Sequence, residues 1–150
     1  MEKYMTAEEA ASQAGILKPP VKDPDKEETA RRYSKTLDAI FSEIDSASKK
    51  KKTHILLEDV DDIILSEDGS YLDDLRNMEH DSGNAHRRMR RLGYTNQADT
   101  IEDINQTIFK LYESLMKEAI NEIAAFLDYK GFNVKVYTDE YYGLGIEWDI

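Results

Sequence analysis

Apolar positions recur every three or four residues through the last third of the chain: Ile101, Ile104, Ile108, Leu111, Leu115, Ala119, Ile123 and Phe126. That spacing puts them on one helical face. A second row, Phe109, Tyr112, Met116, Ile120 and Leu127, widens the face until it needs partners on more than one side. The pattern predicts a helix over about 99–130, opened by Asp99 and Glu102 in the form of a capping box and stopped by Gly131. Such a helix is roughly 45 Å long, more than a compact domain of 150 residues usually needs. Its far end is therefore expected to project or to join an intermolecular bundle. Beyond Gly131 the period changes to two. Phe132, Val134 and Val136 alternate with polar residues, as do Leu144, Ile146, Trp148 and Ile150. The two runs predict a β-hairpin over about 132–150, with its loop at Thr138–Gly143.

Earlier segments are shorter. Thr6-Ala7-Glu8-Glu9 is a capping box, and Ala7, Ala10, Ala11 and Ala14 favour a short helix ahead of Gly15. Residues 15–25 hold Pro19, Pro20 and Pro24, an extended arm expected to pack on the domain or on a partner chain. Asp23-Pro24 reads as an N-cap and first helical position. Ala30, Tyr33, Leu37, Ile40, Phe41, Ile44 and Ala47 then predict one helix from about Pro24 to Ser48. Thr53–Leu57 reads as a strand, available as a third strand beside the hairpin, and Glu58–Leu65 as one or two helical turns. Tyr71 to Met78 and Ala85 to Leu92 predict two short helices, separated by a break at Asp81-Ser82-Gly83-Asn84; Gly93 ends the second. The fold class is thus α+β and mostly helical. The expected organisation is a helix and Pro-rich arm over 1–25 and one α+β domain over 26–150.

Charge adds a constraint. The chain carries 31 acidic and 20 basic residues, a formal net charge of −11. A surface this acidic is not expected to bind nucleic acid directly through its general field. No apolar run approaches a membrane span, and the N-terminal residues show no secretion-signal core, so no membrane association is expected. The absence of cysteine excludes disulfides and thiolate metal sites.

Candidate chemistry is sparse. There is no Gly-rich phosphate loop and no nucleophile elbow, so no enzyme activity and no cofactor is expected. Asp59, Asp61, Asp62 and Asp68-Gly69 suggest a calcium loop, but Ile63 and Ile64 fall where that loop needs a ligand and a glycine. His80 and His86 lack a matching ligand frame, so no metal site is expected. Arg87, Arg88, Arg90 and Arg91 cluster in an otherwise acidic chain and mark a candidate docking patch for carboxylate or phosphate. Equally, they suit a helix C-terminus balanced by cations. Tyr141 and Tyr142 at the hairpin tip, and Pro19 and Pro20 in the arm, are further candidate partner contacts. Trp148 reads as a core anchor.

The segment Gly131-Phe132-Asn133-Val134-Lys135-Val136-Tyr137, a tyrosine-rich turn and then Gly145-Ile146-Glu147-Trp148 follow a helix ending Ala125-Phe126-Leu127-Asp128-Tyr129-Lys130. This resembles a helix-then-hairpin ending common in small phage-encoded proteins. Met5-Thr6-Ala7-Glu8-Glu9-Ala10 and the helix-to-strand passage over 40–57 look similar too. The resemblance covers about half the chain and includes no catalytic residue. It implies a viral setting, in the virion or the host cytoplasm, and no activity.

Two roles follow as expectations. The first is a phage structural or assembly protein that packs through its long helix and N-terminal arm against other subunits, in a homo- or hetero-oligomer. The second is an acidic inhibitor that binds a basic host nucleic-acid-binding protein as a DNA mimic. The first rests on the expectation that the C-terminal third displays more apolar surface than a small globule covers alone; the second rests on the charge of −11 and the acidic run from Glu58 to Asp74.

Overall fold

The computed structural model describes residues 4–14 and 26–148. The proline arm, with Pro19 and Pro20, the Asp23-Pro24 start and Ile150 lie outside the described residues. The described elements are α1 (Ala7–Ala14), α2 (Glu27–Arg32), α3 (Ser34–Lys49), β1 (His54–Leu57), α4 (Val60–Glu67), α5 (Ser70–Arg91), α6 (Thr95–Tyr129), β2 (Asn133–Tyr137) and β3 (Gly143–Glu147). The fold is α+β and mostly helical, with the long helix leading into a small antiparallel sheet. The chain forms two compact units, Met1–Asp68 with Ala119–Ile150, and Gly69–Glu118.

In the first unit the capping box at α1 forms as its residues dictate. The Glu9 N–H donates to Thr6 Oγ1 at 3.1 Å, and the Thr6 N–H reaches Glu9 Oε1 at 3.4 Å. So short a helix is marginal alone. It docks by burying Ala7 and Ala10, and its Ala7 N–H donates to the Lys130 carbonyl at 2.8 Å. Tyr4 stacks on Phe41 at 5.1 Å and meets the edge of Phe126 at 5.8 Å, while its hydroxyl donates to the Ser34 carbonyl.

The helix predicted over about 24–48 is two helices. Tyr33 leaves helical geometry at φ −116°, ψ 34°, and its side chain is buried. No glycine or proline stands there, so local propensity gives no sign of the break. The first turn of α3 is capped from afar: Asp68 accepts the Thr36 N–H at 2.6 Å. Leu37, Ile40, Phe41, Ile44 and Ala47 form the buried face that their spacing requires.

The sheet has the order β1-β3-β2, all antiparallel. Ile55, Ile146 and Val134 share one register line, and Leu57, Leu144 and Val136 another. The strand expected at 53–57 therefore joins the hairpin, against β3. Phe132 and Trp148 are fully buried and meet edge to face at 6.1 Å, so Trp148 is a core anchor. Gly131, at φ 97°, ends α6, with the Phe132 N–H reaching back to the Leu127 carbonyl.

The second unit is a helical hairpin made of α5 and the first part of α6. Two expectations are corrected here. Residues 81–84 do not break the chain, because α5 is continuous over 22 residues. The polar groups that favour a break elsewhere find partners within the helices. Ser82 Oγ donates to the Glu79 carbonyl at 3.0 Å, and Asn105 Nδ2 donates to that same carbonyl and to Ser82 Oγ, both at 2.6 Å. Asn84 Oδ1 accepts from Arg87. Second, α6 begins at Thr95, so Asp99 and Glu102 lie inside the helix and do not cap it. The connection is shorter than expected. Gly93 at φ 85° lets the Tyr94 N–H return to the Met89 carbonyl, and α6 starts at once.

Candidate interaction surface

The hairpin is held by a ladder of polar contacts. Asn105 meets Glu79 and Ser82, His86 Nε2 lies 3.7 Å from Glu102, and Arg90 lies 3.6 Å from Asp99. Residue numbers rise on one helix as they fall on the other, so the helices are antiparallel. The contacts, with the burial of Ala98, mark the inward side of each helix: 79, 82, 86 and 90 on α5, and 98, 99, 102 and 105 on α6. Ala98 is fully buried.

A second line stands apart from that seam. Tyr71 and Met78 on α5, Leu92 at its C-cap, and Ile104 and Leu111 on α6 are between 43% and 62% exposed. Tyr71, Met78, Ala85 and Leu92 are spaced by seven, as are Ile104 and Leu111, so each set keeps one side of its helix over two turns. At 100° per residue, the α5 set lies about a quarter turn from its seam and the α6 set more than a third of a turn from its own, in the same rotational sense. Because the helices run in opposite directions, that shared sense brings both sets to the same side of the hairpin, the α6 set at its outer edge. Leu75, Met89, Ile108 and Leu115, all half-buried, fill the strip between them. The opposite face carries Arg76, His80 and Arg87 around a hollow of about 300 Å³ that also touches Glu79, Gly83 and Asn105. One side of the hairpin is thus richer in exposed apolar residues and the other in charge, although Phe109, 47% exposed, stands away from the Ile104–Leu111 line.

The residues singled out from sequence fall in different places. Arg87, Arg88, Arg90 and Arg91 occupy the last turns of α5, and all are exposed. Arg90 is drawn to Asp99 and donates to His86 Nε2 at 3.3 Å, while Arg87 bonds Asn84. Tyr141 and Tyr142 are half-buried in the other unit. Tyr141 stacks on Tyr137 at 5.7 Å, and the Tyr142 carbonyl accepts the Val60 N–H at 2.9 Å, so part of this aromatic surface serves the hairpin itself. Pro19 and Pro20 are outside the described residues. At the start of α4, Asp59, Asp61 and Asp62 bring carboxylate oxygens within 4.8 Å of one another. Burial, then the nearby Asp62, pushes the Asp61 carboxyl above its ordinary value.

Sequence reading missed the α5 half of the apolar face. The signal was present in the spacing of 71, 78, 85 and 92, but the supposed break at 81–84 divided it. Comparisons of the chain with protein-family models, with curated proteins and with solved structures gave no match. No helix among the described residues is long and apolar enough to cross a membrane.

Proposed function

We propose that this chain is a non-enzymatic protein–protein interaction component, and that its working surface is the apolar face of the 69–118 hairpin. The observation that carries the reading is the exposed line of Tyr71, Met78, Leu92, Ile104 and Leu111 on one side of two paired helices. A two-helix layer must bury such a face against another layer to form a complete core. Apolar residues gathered on one face, with charged residues on the other, are typical of a docking surface. Assembly of a phage particle is the setting we favour for this interaction, and it rests on the resemblance of the helix-and-hairpin ending.

A photo-crosslinking residue placed singly at Met78, Leu111, Asn77 or Lys110 of the full chain tests the reading, with the purified protein and with extract of its source. The expected result is protein adducts from positions 78 and 111 and few from the polar positions 77 and 110. Equal yields from all four, or none, would overturn it.

A further inference from the structure

Resting on that reading, we infer that the hairpin face binds a second copy of this chain, with α5 against α5 and α6 against α6, antiparallel, across one two-fold axis. Three observations converge on this arrangement.

The first is register. Pairing the apolar line of α5 with itself end to end sets Tyr71 against Leu92 of the partner subunit, and Met78 against Ala85 of the partner subunit. The axis then passes at 81–82. The Ser82–Asn105 contact places that point level with residue 105 or 106 of α6. On α6, setting Ile104 against Leu111 of the partner subunit puts the axis at 107–108. The two estimates agree within about two residues, roughly 3 Å along a helix. One axis can therefore serve both helices, as the shared seven-residue spacing allows.

The second is charge. The first half of α5 holds Asp73, Asp74, Glu79 and Asp81 against one cation, Arg76; its last turns hold Arg87, Arg88, Arg90 and Arg91. Asp74 and Arg88 both flank the outer edge of the apolar line, and both are exposed. Antiparallel pairing sets Asp74 against Arg88 of the partner subunit, twice per dimer. A parallel arrangement gathers both arginine clusters at one end. The outer flank of the α6 line carries Thr100, Thr107 and Ser114, which repel nothing.

The third is the field. Residues 69–118 hold nine acids and seven basic residues, a net −2, so −9 of the chain's −11 lies elsewhere. The hairpin is therefore the surface where two copies of an acidic protein repel each other least. One facing is unfavourable: Asp81 meets its own copy near the axis.

Sedimentation of the full chain and its charge variants tests the assignment. Asp74→Arg and Arg88→Asp are each expected to weaken self-association about tenfold, since both ion pairs become repulsive. An equimolar mixture of the two should recover wild-type association, because every introduced charge then meets its opposite. Asp81→Asn should tighten it. If the mixture stays as weak as its components, the second-copy assignment fails; crosslinks from Met78 to a different protein would then leave the broader reading standing. If Met78→Glu alters no association at all, both fail.

Discussion

At the scale of single residues, the core and the acidic edge make separate predictions. Trp148 is fully buried against Phe132, where the sheet meets the helices. Trp148→Ala leaves a large void, and a loss of about 3–5 kcal/mol is expected in urea unfolding followed by circular dichroism. A loss below about 1 kcal/mol would mean that the site collapses around the smaller side chain. Asp61 tests electrostatics. Its carboxyl is raised by burial and then by Asp62, so it holds its proton more tightly folded than unfolded. The stability it contributes is present at acidic pH and fades as pH rises from the ordinary aspartate range through the raised value. Asp61→Asn should flatten that part of the stability–pH curve and leave the variant more stable at neutral pH. A variant less stable at pH 7 contradicts the assigned cause.

At the scale of elements, the legible parts of the fold were those with local punctuation or strong periodicity. The Thr6–Glu9 box, the Gly93 and Gly131 stops, the α3 face and the hairpin strands all follow from residues within one turn or one strand. The failures came where distant groups decide. Asn105 bonds the residues that would otherwise interrupt α5, and Asp68 caps α3 from 32 positions away. The break at Tyr33 has no local marker either. The continuity of α5 makes Gly83 a plain helix-interior glycine. A Cβ there would find nothing closer than Arg87 Nη1 and Asn105 Nδ2, both at 3.8 Å. Gly83→Ala is therefore expected to raise stability by up to about 1 kcal/mol, seen as a higher melting temperature. Gly93→Ala should lower stability by about 1–2 kcal/mol, because φ is +85° there although the space is open. The sign difference between these two glycines, measured in one thermal series, checks both the unbroken helix and the turn.

For the whole molecule, the wide stripe read along the last third divides at the boundary between the two units. From Ala119 onward its apolar residues are sealed in the first unit: Ala119, Ile120, Ile123, Phe126 and Leu127 are buried. Before that point Ile104 and Leu111 stay exposed on the side to which α5 adds Tyr71 and Met78, with Leu92 at its C-cap; Phe109 is exposed elsewhere on α6. The candidate surface was thus half visible in the sequence. Its α6 portion lay in the periodicity, and its α5 portion was hidden by the supposed break. The arginine cluster was visible as composition, while its relation to Asp74 needs the unbroken helix to be seen. A symmetric antiparallel pair gives these features one purpose, since the same axis covers both apolar lines and sets arginines against aspartates. The chain has no cysteine, so one introduced at a chosen site carries a single spin label. Pulsed electron paramagnetic resonance on full-length protein labelled at Asp81→Cys or at Arg91→Cys then measures the interchain distance directly. Antiparallel pairing about residues 81–82 predicts a short separation at position 81 and one longer by roughly 30 Å along the helix axis at position 91. Equal short distances at both positions, or no interchain signal at either, would contradict it.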